Sequence, residues 1–288
     1  MRSCHDGFES GGWGLVEGRG RRRGDLARYR AGRTMTRRLR IDPDPDGERR
    51  AAARARLARR SRPRRWLRRG LALIGLLAIL SIVPVALLRA FNPPLTALML
   101  GEWLQAHMAG ERGFSLRHDW LDAARIAPPA ARAVIAAEDQ RFYTHHGFDI
   151  DAIRAALADR AGGARLRGAS TISQQVAKNL FLWRGRHWLR KGLEAWFTVW
   201  LELLCPKRRI LEVYLNVAQF GPGLYGVEAA SREFFGHGAD GLDAREAALL
   251  AAVLPNPRVL SVAAPSPYLR RRQAWILGQM GRSGLPGH

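Results

Sequence analysis

Apolar positions along the chain form one unbroken run and then a series of shorter, interrupted ones. From Gly70 to Leu88, nineteen consecutive residues carry no charge and are rich in Leu, Ile, Ala and Val, long enough as a helix to cross a hydrocarbon core of about 30 Å. A buried core helix is the alternative. Pro84 lies inside the run and is expected to kink or loosen the helix, which membrane spans tolerate better than soluble helices do. Asn92-Pro93-Pro94 ends any helix, and the mostly apolar Leu95 to Trp103 reads as a short linker near the bilayer. Beyond Pro128-Pro129, apolar residues recur at helical spacing in Ala130 to Ala137, Ile150 to Leu157, Ile172 to Leu180, Leu189 to Leu204, Arg209 to Val217 and Ala244 to Leu254. Strand-like alternation is scarce, so the pattern predicts a mostly α domain behind a single transmembrane helix.

Charge sets the orientation of that helix. Residues 49–69 hold eleven Arg and no acid, whereas only Arg89 closely follows the span, and this asymmetry places the N-terminus in the cytoplasm. The apolar run is longer than a signal-peptide core and no small-residue cleavage site follows it, so an uncleaved signal-anchor is expected. The formal net charge is +22, but residues 1–69 hold 22 basic and 8 acidic groups and the remainder 25 and 17. Most of the excess thus belongs to a basic, disordered arm beside anionic headgroups. The rest suits a surface lying on an acidic membrane or polymer. No groove-reading motif accompanies the charge, which argues against nucleic acid as a partner.

The expected organisation is a basic arm over 1–69, an anchor over 70–88, an outer domain over 92–260 and a C-terminal tail over 261–288. Residues 1–34 lack apolar periodicity and Met35-Thr36-Arg37-Arg38 makes an ordinary start, so translation is expected to begin at Met35. The stretch from Asp42 to Gly47 reads as a turn-rich break. Cys4 and Cys205 fall on opposite sides of the proposed membrane and cannot pair within one chain; Cys205 reads as a small core residue.

Three polar signatures carry the candidate chemistry: Glu138-Asp139-x-x-Phe142-x-x-His145, then Gly168-Ala169-Ser170-Thr171-x-x-Gln174-Gln175-x-x-Lys178-Asn179, then Arg190-Lys191-x-x-Glu194. Two carboxylates in cationic, amide-rich surroundings suit a reaction in which a base takes a proton while cations hold the charge of an anionic leaving group. Glu138 closes the apolar run Ala133 to Ala137, where a packed helix opens into a cleft, a placement that raises a carboxyl's pKa. The plain alternative is a surface Glu at a helix end. Thr171-x-x-Gln174 is a capping box, so a helix starts there with Ile172, Val176 and Leu180 along one face and Gln174, Gln175, Lys178 and Asn179 elsewhere. Its free N-terminal amides, after Gly168, offer a site for phosphate oxygens; a capped helix with a wet side is the alternative. Arg186, Arg190 and Glu194 are spaced to share a helical face with Lys191 beside them, which a surface ladder worth only a few tenths of a kcal/mol per pair would also produce. Core packing explains most of the stretch Trp196, Phe197, Trp200, Leu201 and Leu204; a partly exposed surface dipping into the outer leaflet also explains its tryptophans.

These signatures, with Lys207-x-x-Ile210-Leu211-Glu212-x-Tyr214-Leu215-Asn216 and Tyr225-Gly226-Val227-Glu228-Ala229-Ala230 downstream, resemble the peptidoglycan glycosyltransferases of class A penicillin-binding proteins and of stand-alone monofunctional transglycosylases. The resemblance spans roughly residues 92–260 and implies a lysozyme-like glycosyltransferase domain on a bacterial inner membrane, facing the periplasm. It implies polymerisation of lipid II into β-1,4 glycan strands by inversion, with release of undecaprenyl diphosphate. By resemblance Glu138 is the general base on the acceptor 4-hydroxyl, and Glu194 is a second essential carboxylate that positions the diphosphate, directly or through a divalent cation such as Mg or Mn. No metal motif supports the cation independently. The resemblance makes Ser170, Thr171, Gln174, Gln175, Lys178, Asn179, Arg186, Arg190 and Lys191 the substrate-binding set. Asp139, Phe142, His145, Gly147 and Asp149 stand behind them, Phe142 as packing, His145 as an orienter of the loop or, as the plain alternative, a satisfied core histidine, and Gly147 as a turn. The family's Gly-Gly-Ser-Thr is here Gly168-Ala169-Ser170-Thr171, a departure of one methyl.

About 30 residues follow Pro257, with no Ser-x-x-Lys and Lys-Thr-Gly set, so the monofunctional form is expected, without penicillin binding. Expected partners are lipid II, the growing glycan strand, membrane lipid and other cell-wall synthesis or division proteins. Two rival readings are a lytic lysozyme-like enzyme and a non-catalytic membrane-anchored scaffold. The cation cluster argues against the first, because a neutral sugar leaving group does not need it; indifference to Glu138→Gln would mark the second.

Overall fold

The structure, a computed structural model, describes residues 44–161, 170–185 and 187–281. The expectations for Cys4, Met35, Gly168, Ala169 and Arg186 lie outside the described residues. The chain divides into a unit ending at Arg62 and a second beginning at Pro63. In the first, the described residues from Pro45 onward are helical rather than irregular. Ala and Arg are strong helix formers, and Asp46 and Glu48 stand in the first turn, where carboxylates favour the unpaired amides.

Helix α1 spans Pro45–Leu87, and Arg65–Leu87 is the one stretch among the described residues long and apolar enough to cross a membrane. Its large side chains, among them Leu71, Leu76, Ile79 and Leu80, are exposed, whereas Val85 and Leu88 at its end are buried. Arg209 donates to the carbonyls of Leu88 at 2.7 Å and Phe91 at 2.9 Å and to Asn92 Oδ1 at 2.7 Å. These bonds satisfy acceptors left open where the helix stops. Trp196 Nε1 donates to Ser81 Oγ at 3.0 Å. Cys205 is buried and unpaired, as a core cysteine should be.

Residues expected to be a linker instead form helix α2 (Ala97–Met108). Thr96 caps it, accepting from the Met99 amide at 3.1 Å, and Leu98, Met99, Glu102 and Ala106 are buried. Helix α3 (Pro128–Glu138) opens with prolines in its first turn, where a missing amide costs nothing. Helices α4 (Ile150–Ala161), α5 (Ile172–Phe181), α6 (Trp188–Leu204) and α7 (Lys207–Val217) follow, with α5 packed against α2, α6 and α7. A small sheet of β1 (Arg117–His118), β2 (Gln219–Gly221) and β3 (Leu224–Tyr225) has β3 in the middle, parallel to β1 and antiparallel to β2. Helix α8 is Val227–Phe235, and α9 (Ala244–Val253) carries a capping box of Asp243 and Glu246. Gly226, before α8, has φ +84, and a Cβ there would stand 2.8 Å from the Asn216 carbonyl. The Asn216 side chain in turn bonds both the amide and the carbonyl of Leu121, which accounts for Asn216 and Gly226 without any role in chemistry.

The fold is mostly α, as expected, but the packed domain does not stop at residue 260. Helix α10 (Pro267–Met280), capped by Ser266, buries Leu269, Gln273, Ile276 and Met280 and packs against α3 and α9. The expected tail from 261 is corrected accordingly. Arg270, Arg271 and Arg272 interrupt the run and disguised an inward stripe at helical spacing.

Candidate active site

Glu138 is the last residue of α3, and Asp139 turns the chain away with φ −160 and ψ 76. The buried Asp139 carboxylate accepts from His145 Nε2 at 2.9 Å and from the Ile172 amide at 3.0 Å, tying the end of α3 to the start of α5. Thr171 Oγ1 donates to the Gly147 carbonyl at 2.7 Å and accepts from the Gln174 amide, and Gln174 Oε1 accepts from the Thr171 amide. The capping box is therefore real, and such a cap is worth about 1 kcal/mol. Its consequence narrows an expectation: the amides of Thr171, Ile172 and Gln174 are spent inside the protein and are not offered to phosphate oxygens. Ser173, Gln174 and Asn179 are buried along with Ile172, Val176 and Leu180, which leaves Gln175 and Lys178 as the partly exposed polar residues of α5.

Asp149 accepts from the Ala152 amide at 2.9 Å and pairs with Arg141, capping α4. Phe142 is fully buried under the Lys207 ammonium, 4.5 Å from its ring centre. Gly147 has φ +84, and a Cβ there would meet Thr198 Cγ2 at 2.8 Å and Glu202 Cγ at 3.0 Å. Backbone strain and this close approach to α6 act together, so Gly147→Ala is expected to cost about 2 kcal/mol or more. A drop in Tm of the full chain, measured by thermal unfolding, checks this; an unchanged Tm would show that the loop relaxes freely.

The Glu138 carboxylate is held on both oxygens. Gln175 Nε2 donates to Oε2 at 2.8 Å, and Arg272 Nη2 lies 3.4 Å from Oε1. Burial pushes the Glu138 pKa above its ordinary 4.5, opposed by the Gln175 hydrogen bond and by the charges of Arg272 and Lys178. Gln175 is itself fixed, its Oε1 accepting from Tyr214 OH at 3.1 Å. One turn along α5, burial lowers the Lys178 pKa from 10.5, with Glu194 and Glu138 pulling it back up. The Lys178 ammonium has no hydrogen-bond or ion-pair partner among the described residues.

Glu194, on α6, is buried with two cations on it. Arg190 Nη1 lies 2.9 Å from its Oε2 and the Lys191 ammonium pairs with its Oε1. Lys191 also reaches Ser170 Oγ at 3.5 Å, and Arg190 Nε donates to the Gly185 carbonyl at 2.8 Å. These surroundings do not fit a resident divalent cation, because both Glu194 oxygens already face positive groups. Among the described residues, no three His, Cys, Asp or Glu side chains converge.

A cleft of about 530 Å³ opens beside these groups, lined by Gln175, Lys178, Asn179 and Arg190 on one side and by Leu254 to Arg258 on another. Asn179 Oδ1 is buried there without a hydrogen-bond partner among the described residues. The sequence reading missed a second cluster at this cleft. The buried Glu102 of α2 accepts from Gln219 Nε2 at 2.9 Å and from Tyr225 OH, and pairs with Arg184 at 3.3 Å and Arg258 at 3.8 Å. A lone acid in the apolar stretch Leu95 to Leu104 was the available signal, since a buried carboxylate requires partners. Arg272 was missed because its segment read as a tail.

With this geometry in view, likeness to known proteins is informative. The family described as Transglycosylase matches residues 105–281, which includes α10. The biosynthetic peptidoglycan transglycosylase of Xanthomonas campestris pv. campestris (strain B100) is 53% identical over 227 residues, covering 79% of this chain and 92% of the relative. That of Xylella fastidiosa (strain M23) is 52% identical over 219 residues, covering 76% and 90%. That of Xanthomonas axonopodis pv. citri (strain 306) is 51% identical over 227 residues, covering 79% and 92%. A site of two carboxylates, each paired with its own cations, thus sits in a chain that belongs to the transglycosylase family.

Proposed function

We propose that the chain is a peptidoglycan glycosyltransferase that polymerises lipid II, with Glu138 as general base and Lys178, Arg190, Lys191 and Glu194 as the diphosphate end of the site. The carrying observation is the separation of the two carboxylates by electrostatic surroundings. Glu138 is largely covered, hydrogen-bonded and raised in pKa, which suits a base. Glu194 sits among cations beside Lys178, whose ammonium has no ion-pair partner among the described residues, which suits charge that develops on a leaving group.

In this reading Glu138 takes the proton from the acceptor 4-hydroxyl as that oxygen attacks the anomeric carbon of the growing strand. The bond from that carbon to the diphosphate oxygen breaks, and the electron pair leaves with undecaprenyl diphosphate, held by Lys178 and Arg190. Attack opposite an α-linked leaving group gives the β-1,4 bond, a geometry that parallels inverting sugar hydrolysis. Ser170, Gln175 and Asn179 border the substrate path, while Thr171 and Gln174 serve it by building the cap. Asp139, His145, Asp149, Phe142 and Gly147 hold that cap and the α3 to α5 junction in place.

A bilayer location accounts for the apolar surface. Leu189, Trp196, Val199 and Leu203 of α6 are exposed at spacings that put them on one helical face, and Leu100, Trp103 and Leu104 of α2 are exposed as well. Together with the exposed side chains of Arg65–Leu87 they suit immersion in lipid, with tryptophans at the headgroup level. The arginine-rich flank of the anchor favours a cytoplasmic N-terminus, and so a periplasmic active site on the inner membrane. Mixing detergent-solubilised full-length protein with labelled lipid II is expected to yield high-molecular-weight glycan that muramidase digests. Digestion of finished cell wall without any polymer from lipid II would establish the lytic reading instead.

A further inference from the structure

Helix α10 brings a guanidinium to the base. Arg272 Nη2 lies 3.4 Å from Glu138 Oε1 and 3.4 Å from the Ala137 carbonyl, so one nitrogen spans the last peptide of α3 and its terminal carboxylate. Arg272 is mostly covered, with a side chain 22% exposed, and it reaches Glu138 beside the cleft that Gln175 and Lys178 line. Its helix is anchored by the buried Leu269, Ile276 and Met280 and by Gln273 Nε2, which donates to the Arg245 carbonyl at 2.7 Å. The guanidinium is therefore placed by packing, not by substrate.

We propose that Arg272 is a positioning residue for Glu138: it fixes the carboxylate against the end of α3 and keeps it in the ionised form. This rests on the reading of Glu138 as the base. With Oε1 toward Arg272 and Oε2 toward Gln175, the side chain is clamped from α10 and α5 at once, and a carboxylate held within about half an ångström of productive geometry is what proton abstraction needs. The charged and titratable groups that face Glu138 are Arg272 from α10, Lys178 from α5, Tyr214 from α7 and the adjacent Asp139. From α9, no charged side chain pairs with it among the described residues. Lys178 supplies positive charge without a hydrogen bond, so Arg272 is the cation that touches the base.

The direction of the effect follows from opposing influences. Burial favours the neutral acid, and an adjacent cation favours the carboxylate. Removing the cation leaves burial less opposed, so Glu138 ionises at higher pH.

The test is the pH dependence of lipid II polymerisation by the full chain in detergent, comparing wild type, Arg272→Gln, Arg272→Lys and Glu138→Gln, with Tm measured for each. In Arg272→Gln the acid limb of the rate is expected to move up by about one pH unit, with KM changed less than about twofold. Arg272→Lys keeps the charge but loses the planar contact, so it is expected to hold the wild-type limb with a several-fold lower plateau, and it carries the test alone if the Gln variant does not fold. An equal loss at every pH in Arg272→Gln would reduce Arg272 to a scaffold residue. A raised KM with an unmoved limb would make it a substrate ligand. Either result overturns the proposal. Activity surviving in Glu138→Gln would instead remove the base assignment itself, a separate failure.

Discussion

Glu138→Gln is expected to lower kcat for lipid II polymerisation by about three orders of magnitude while KM and Tm change little. A positioned general base contributes typically 10²- to 10⁴-fold, and the amide cannot take the acceptor proton at all. The geometry explains why the fold should tolerate the change. Gln175 Nε2 can donate to the new side-chain oxygen as it does to Oε2, and the loss of the Arg272 pair is offset by no longer burying a charge whose pKa burial already raises. Glu138→Asp should be intermediate, because one methylene withdraws the carboxylate from both donors. Wild-type activity from Glu138→Gln would refute the base assignment; a collapse in Tm would show that the carboxylate is structural.

That prediction draws on a residue legible in the sequence and on partners that were only partly so. The position of Glu138 after Ala133 to Ala137, the Thr171 capping box and the Arg190 to Glu194 spacing are local signals, and local geometry realises each of them. Gln175 was visible as part of its motif, but its bridge from Tyr214 to Glu138 depends on α5 and α7 packing together. Arg272 and the Glu102 cluster depend on contacts across 134 and 123 residues of chain, for which one sequence carries no periodic signature. The alternative of a plain wet side on α5 fails for the same reason. Helices α2, α6 and α7 pack on α5, Ser173 finds Glu202 and Gln174 finds the cap, while Gln175, Lys178 and Asn179 turn to the cleft. Polar residues at helical spacing thus marked the site rather than the surface.

Lys178→Met should separate catalysis from stability most sharply. The rate is expected to fall by about 10²- to 10³-fold, the range for removing one donor aimed at developing charge, while Tm holds or rises. Lys178 is the cation of the site with no ion-pair partner among the described residues, and burial lowers its pKa against the pull of Glu194 and Glu138, so the folded chain carries a charge that an anionic ligand would compensate further. Methionine keeps the length and apolar stem and removes that charge. The two shifted groups also fix the shape of the wild-type pH profile. Glu138 must be ionised, so the acid limb lies above the ordinary 4.5, and Lys178 must be protonated, so the alkaline limb lies below 10.5. In Lys178→Met the alkaline limb should lose the Lys178 contribution. The acid limb should move to higher pH, because a cation that favours the Glu138 carboxylate is gone. An undiminished rate would mean that Arg190 and Lys191 hold the departing diphosphate without it, and a fall in Tm would mean that the ammonium is paired when no substrate is bound.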